Sequence, residues 1–200
     1  PKKGTIASII GKAVNTGHPI DTILDREFPH YAHFTNEIQQ IFDQYRLRKQ
    51  ELNVMDYDDM LIYLVQLLTD HPDIAETLSA RYRYIMVDEY QDTNPLQAQI
   101  ILRLCHTHQN VMVVGDDAQS IYSFRGADFK NIMAFPDMFA QTTVIKLEQN
   151  YRSTQSILGI SNRVIEQASE RYTKELFTEK ESGQKPAFIE TLSENEQSRF

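Results

Sequence analysis

The chain holds a single cysteine, Cys105, in 200 residues. That excludes an internal disulfide and, with no CxxC or Cys/His cluster, any cysteine-based zinc site. Such usage fits a reducing cytosol. Gly and Pro are also scarce, at 7 each, against 41% hydrophobic and 10% aromatic residues. This balance excludes collagen-like and disordered chains and leaves enough apolar material for a buried core. No apolar run approaches the roughly 18–20 residues that span a bilayer, and the opening PKKGTIASIIGKAV is too short in its apolar part for a secretory signal. A soluble, cytoplasmic protein without a membrane segment is expected, as one ordinary domain or two small ones.

Positive charge is in short supply as well: 20 Lys+Arg face 28 Asp+Glu, for a net charge of −8. That argues against coating nucleic acid by bulk charge and leaves a local groove open. Residues 51–92 contain ten acids and two bases, so this stretch alone carries the whole −8. The histidines (His18, His30, His33, His71, His106, His108) show no metal-ligand spacing backed by other donors.

Residues 35–52 place Ile38, Ile41, Phe42, Tyr45 and Leu52 at helical spacing, with Arg46, Arg48 and Lys49 outward as a solvated basic strip. A second helical pattern follows from Asp56, a candidate cap for an acid-rich first turn, and stops at His71-Pro72. The pattern then changes to apolar runs at 82–89, 110–117 and 142–150, which read as buried strands. Helical stretches at 95–108 and 127–135 separate them, and this alternation predicts an α/β parallel sheet with flanking helices behind a helical N-terminal segment. A last helix runs from Ser153 or Ser156 to about Tyr172, followed by a turn at Ser182-Gly183 and a short strand at residues 187–190.

Three strand ends carry the chemistry. Ile85-Met86-Val87-Asp88-Glu89 delivers two adjacent carboxylates: one suits Mg²⁺, which takes oxygen ligands and keeps several waters, and the next can orient or deprotonate a water. A solvated acidic turn is the plainer explanation of those residues alone. Val111-Met112-Val113-Val114-Gly115-Asp116-Asp117-Ala118-Gln119 runs into a polar loop where Gln119 can sense a phosphate or water, and the loop continues to Tyr122, Phe124 and Arg125, a grouping suited to stacking on unpaired bases. Leu147-Glu148-Gln149-Asn150-Tyr151-Arg152-Ser153 brings an aromatic and an arginine to a helix start. Tyr151 can stack on a purine and Arg152 can supply charge to a γ-phosphate; a Ser153 cap beside a salt-bridged Arg152 is the alternative.

In their order and spacing these stretches resemble the UvrD/PcrA/Rep group of superfamily 1 ATP-dependent DNA helicases. Asp88-Glu89-Tyr90-Gln91-Asp92-Thr93-Asn94 is similar to that group's motif II, residues 114–128 to motif III and residues 147–153 to motif IV. Met55-Asp56-Tyr57-Asp58-Asp59-Met60-Leu61 is similar to an aspartate-rich element that precedes motif II. The resemblance implies a partial RecA-like (P-loop NTPase) fold, with ATP and Mg²⁺ as cofactors and single-stranded DNA or duplex junctions as partner. It implies Asp88 for Mg²⁺, Glu89 as base, Gln91 and Gln119 near the γ-phosphate, Tyr151 on adenine, and Arg152 as a γ-phosphate finger from the second motor domain. Tyr122, Phe124 and Arg125 would meet DNA, with Phe124 where several relatives place Trp. By the same resemblance, residues 1–51 end an inserted helical subdomain, 52–142 are the later part of the first RecA-like domain, and 143–200 begin the second.

No G-x-x-x-x-G-K-[ST] occurs in the 200 residues, and the nearest imitation, Gly4 to Lys12, has six residues between its glycines and follows no strand. The expectation is an internal piece of a 3′-to-5′ helicase acting in DNA repair or replication. Its own ATP hydrolysis is expected to be absent, and its cut sheet edges favour self-association. Two rivals stay open: a non-catalytic DNA- or protein-binding module derived from a helicase, and a small phosphohydrolase using the 51–92 acids as a two-metal site.

Overall fold

Apolar residues at helical spacing build the first element group. α1 (Lys3–Thr16) ends on Gly17 in the left-handed conformation, φ 71°, and α2 (Ile20–Glu27) and α3 (Thr35–Glu51) follow, with a 3-10 turn at Pro29–Phe34 between them. Ile9, Ala13, Ile20, Ile23, Leu24 and Ile38 form a buried cluster roofed by Phe28, Tyr31, Phe34 and Phe42. Each fully buried Ile or Leu there contributes about 1.5–3 kcal/mol. The glycine-containing imitation of a phosphate loop is therefore ordinary helix, and Lys12 is ion-paired with Glu27.

α4 (Tyr57–Asp70) begins with a reciprocal capping box: Asp56 Oδ1 accepts from the Asp59 N–H at 2.9 Å, and Asp59 Oδ2 accepts from the Asp56 N–H at 2.9 Å. α5 (Pro72–Arg81) starts at the proline that ends α4, since proline at a first helical position gives up no needed N–H. β1 (Ile85–Val87), α6 (Pro95–Leu104) and β2 (Val111–Val113) come next, and β1 and β2 pair in parallel, Ile85 opposite Val111 and Val87 opposite Val113. α6 packs on α4 and α5 and touches α1, and α7 (Lys130–Ala134) runs into a 3-10 turn at Phe135–Met138.

This computed structural model describes residues 1–120, 130–168, 171–181 and 183–199. By backbone contacts it divides into two units, Pro1–Thr142 and Thr143–Phe200. The second unit holds α8 (Gln155–Ile165) and a short α9 (Glu194–Gln197). Asn162 fastens α8 to the returning chain, donating to the Leu176 carbonyl at 2.9 Å and accepting from the Leu176 N–H at 3.1 Å. No helix among the described residues is long and apolar enough to cross a membrane.

Several expectations need correction. Among the described residues the sheet has two strands, not three: the 142–150 run makes one isolated bridge, Gln149 to Phe177, while Ile145 and Leu147 are each 78% exposed. No strand forms at residues 187–190, where Phe188 is exposed. A short β-prone run becomes a strand only when a neighbour takes its backbone hydrogen bonds. α8 stops at Ile165, short of Tyr172, and its N-cap is Thr154 rather than Ser153.

Lys49 is also not part of a solvated strip. Its side chain is only 12% exposed, and its ammonium sits 2.8 Å from Asp56 and 2.6 Å from Asp59. Burial alone would lower the Lys49 pKa, but hydrogen bonds to both aspartates outweigh it and the net shift is upward. Burial likewise pushes Asp56 up, and Lys49, the Asp59 N–H and the Tyr45 hydroxyl together bring it below the usual aspartate value. A depressed carboxyl contributes stability above its unfolded pKa and loses it as pH falls through the folded value. Asn keeps a capping acceptor, so Asp56→Asn isolates the charge. It should cost about 1–2 kcal/mol at pH 7 in urea unfolding, and the gap to the unsubstituted chain should close below about pH 4.

Candidate active site

The site is built by an interruption in the strand pairing. Val114 donates its N–H to the Val87 carbonyl at 2.8 Å and accepts from the Tyr90 N–H at 2.9 Å. Two residues, Asp88 and Glu89, are thereby left out of the ladder at the carboxyl end of β1, and both are exposed. Glu89 has φ 50° and ψ 43°, the left-handed region, at a cost of about 1–2 kcal/mol for a residue with a Cβ. Its N–H donates to Asp88 Oδ1 at 2.9 Å. Non-glycine residues in that region concentrate at functional sites.

Directly after the two acids the chain turns inward. Tyr90 is fully buried and meets Phe135 edge-on, with ring centroids 5.2 Å apart, and burial raises its pKa. Gln91, 1% exposed, spends both ends of its side chain inside the site. Its Nε2 donates to Glu89 Oε2 at 2.7 Å, and its Oε1 accepts from the Asp116 N–H at 3.0 Å. Ser120 donates its hydroxyl to the Gln91 carbonyl at 3.2 Å. Asp116 in turn caps the 3-10 turn Asp117–Gln119, taking the Ala118 N–H on Oδ1 at 3.1 Å and the Gln119 side-chain amide on Oδ2 at 2.8 Å. One hydrogen-bonded chain thus runs from Glu89 through Gln91 and Asp116 to Gln119.

Gly115 makes that approach possible. A Cβ there would lie 2.6 Å from Gln91 Oε1 and 2.7 Å from Ile132 Cδ1. Sequence reasoning marked Gly115 as the end of a strand and assigned it no role; its signal was a glycine placed between an apolar run and a polar loop. Asn94 stood in the 88–94 stretch without a role of its own. It opens α6 with a capping box shared with Gln97, and its Nδ2 donates to Asn15 Oδ1 at 2.7 Å. Asn15 passes the connection on, donating to Asp58 Oδ1 at 3.0 Å.

In the second unit, Asn150 Oδ1 accepts from the N–H groups of Arg152 and Ser153, at 2.9 and 2.7 Å. This turn leaves Tyr151 75% exposed, with its hydroxyl on Gln149 Oε1 at 2.8 Å, and leaves Arg152 exposed. Tyr122, Phe124 and Arg125 lie outside the described residues.

The acids at 56–59 are engaged elsewhere: Asp56 and Asp59 with Lys49, and Asp58 with Asn15. No group of three or more His, Cys, Asp or Glu among the described residues is arranged to hold a metal. A lone exposed carboxylate such as Asp88 fits Mg²⁺, which binds through one or two carboxylates and fills its shell with water and phosphate oxygens. Cys105 is fully buried and burial raises its thiol pKa, which makes it a core residue and a poor nucleophile.

Two family models match the chain: the UvrD/REP helicase N-terminal domain over residues 8–140 and the UvrD-like helicase C-terminal domain over residues 145–200. Among similar proteins, a probable DNA helicase II homolog of Rickettsia felis is 42% identical over 160 residues, which is 80% of this chain and 24% of that protein. DNA helicase II of Rickettsia typhi is also 42% identical, with the same coverage. The ATP-dependent DNA helicase PcrA of Staphylococcus aureus strain Mu50 is 34% identical over 199 residues, 100% of this chain and 27% of that protein. The chain therefore spans about a quarter of the length of the curated relatives it matches. With the first model alone covering well over half of its residues, the chain belongs to the UvrD/REP helicase family.

Proposed function

We propose that the natural gene product carrying this chain is an ATP-dependent DNA helicase, a 3′-to-5′ translocase on single-stranded DNA that works in repair or replication in the cytoplasm. The observation that carries this is the hydrogen-bonded chain from Glu89 to Gln119, which joins the ends of two parallel strands beneath the exposed Asp88. Parallel strand ends are where open α/β sheets bind ligands. The β1–β2 pair is then part of a RecA-like domain spanning residues 52–142, residues 1–51 end an inserted helical subdomain, and 143–200 begin a second RecA-like domain.

In this reading Asp88 would hold Mg²⁺, which when bound would supply neutralising charge to the phosphate oxygens of ATP. Glu89 orients a water and takes its proton as the water oxygen bonds to the γ-phosphorus; the bond from that phosphorus to the bridging oxygen breaks, releasing ADP and inorganic phosphate. Gln119 orients the γ-phosphate or the water. Tyr151 stacks on adenine and Arg152 stabilises the charge that develops on the phosphoryl group. Tyr122, Phe124 and Arg125 meet the bases and backbone of the DNA strand.

Steady-state ATP turnover by the natural gene product, with and without oligothymidylate, tests the reading. Glu89→Gln and Arg152→Ala should each lower kcat by about 100-fold or more with the fold retained; turnover near the unsubstituted rate in either would remove that residue from the mechanism. The 200 residues alone contain no glycine-rich phosphate cradle, so purified as such they should release phosphate no faster than a buffer blank.

The β1–β2 pair leaves Met86 73% and Met112 52% exposed, which supports self-association of the isolated chain. Sedimentation at dilute concentration should give a species larger than the monomer. A clean monomer would contradict it.

A further inference from the structure

Among the described candidate site residues Gln91 is the one the structure buries, and its surroundings assign its two side-chain ends without ambiguity. The Asp116 backbone N–H can only donate, so the atom 3.0 Å from it must be the amide oxygen. The amide nitrogen then faces Glu89 Oε2 at 2.7 Å, the length of a charge-assisted hydrogen bond. One Nε2–H and one Oε1 lone pair stay outside these two bonds, but at 1% exposure the side chain is closed to solvent and meets a phosphate only by leaving its place.

From this we propose that Gln91 is a positioning residue: it holds the Glu89 carboxylate in the orientation that meets the attacking water and takes that orientation from the β2 loop through Asp116. The proposal rests on Glu89 acting as the base. Glu89 itself sits in a left-handed backbone conformation outside the strand ladder, and its side chain is exposed. An exposed glutamate has several free torsions, and a single bond to a buried, doubly fixed partner removes most of that freedom before substrate arrives.

Gly115 belongs to the same device. Its missing side chain lets the Gln91 amide approach β2, because a Cβ would meet Gln91 Oε1 at 2.6 Å and the Gln91 backbone nitrogen at 3.3 Å. The amide oxygen is buried and bonded, so it cannot swing aside as an exposed lysine tip would. Gly115→Ala should therefore push Gln91 off Asp116 and release Glu89, although Gly115 touches no substrate itself.

The test uses Gln91→Met, which keeps the volume and loses both hydrogen bonds, and Gly115→Ala, which keeps the amide and moves it. In the natural gene product, kcat per equivalent of bound nucleotide should fall by about 10–100-fold in each, the cost of a misplaced catalytic group. The KM for ATP and the Kd of a non-hydrolysable ATP analogue should stay within roughly twofold, since ground-state binding is untouched. Counting only nucleotide-binding molecules removes any loss due to misfolding. Unchanged kcat in both variants would overturn the proposal while leaving the helicase reading standing. A loss of analogue affinity as large as the loss of kcat would also overturn it, in favour of direct phosphate contact. No turnover by the unsubstituted gene product would overturn the helicase reading first, and this proposal with it.

Discussion

Everything at the candidate site depends on how Val114 is hydrogen-bonded. By accepting from Tyr90 and donating to Val87, it closes the parallel ladder on either side of Asp88 and Glu89 and expels both from it. Two carboxylates that a regular strand would point to opposite faces are thereby delivered together beyond the strand end. The local cost is a left-handed Glu89. The return is a pair of solvent-exposed acids, with the Glu89 N–H on Asp88 Oδ1 and the Glu89 carbonyl taking the Asp92 N–H, and a chain that turns straight into the core at Tyr90.

That turn is secured by packing and by polar connections, although the Tyr90 hydroxyl and Asp92 Oδ1 are buried without a hydrogen-bond partner. Tyr90 fills the space against Phe135, Gln91 spans the gap to β2, and Asn94 opens α6 while linking to Asn15 on α1 and through it to Asp58 on α4. Lys49, held between Asp56 and Asp59, joins the end of α3 to the start of α4. The helical segment at the N-terminus is thus tied into the elements that carry the site. Each tie uses short side chains or a fully paired charge, which keeps its entropy cost low.

Much of this was legible in the residues. The acid-rich start of α4 marked Asp56 as a cap, and the alternation of apolar runs with helical stretches foresaw the parallel β1–β2 pair and α6 between them. The family followed from motif order, because residues 88–94, 114–128 and 147–153 are a rare combination at that spacing. The errors share one cause. Residues 142–150 and 187–190 have strand-like composition, yet a strand exists only where a partner accepts its hydrogen bonds, and partners are not written in the run itself. Lys49 was misjudged for the same reason: it lies in a basic strip, but its environment is set by aspartates on the next helix.

The sequence by itself determined the family, the helices with strong periodicity and caps, and the identity of the residues at the two strand ends, since these are encoded in local spacing and side-chain chemistry. Tertiary structure decided which of those residues face solvent and which are held. It buried Gln91 and left Asp88 and Glu89 exposed, and it turned Gly115 from a loop marker into the gap through which Gln91 reaches β2. Those distinctions arise from contacts between residues some 25 positions apart, such as Gln91 with Asp116. No local pattern specifies them, because the distance between two strand ends exists only once the sheet has formed.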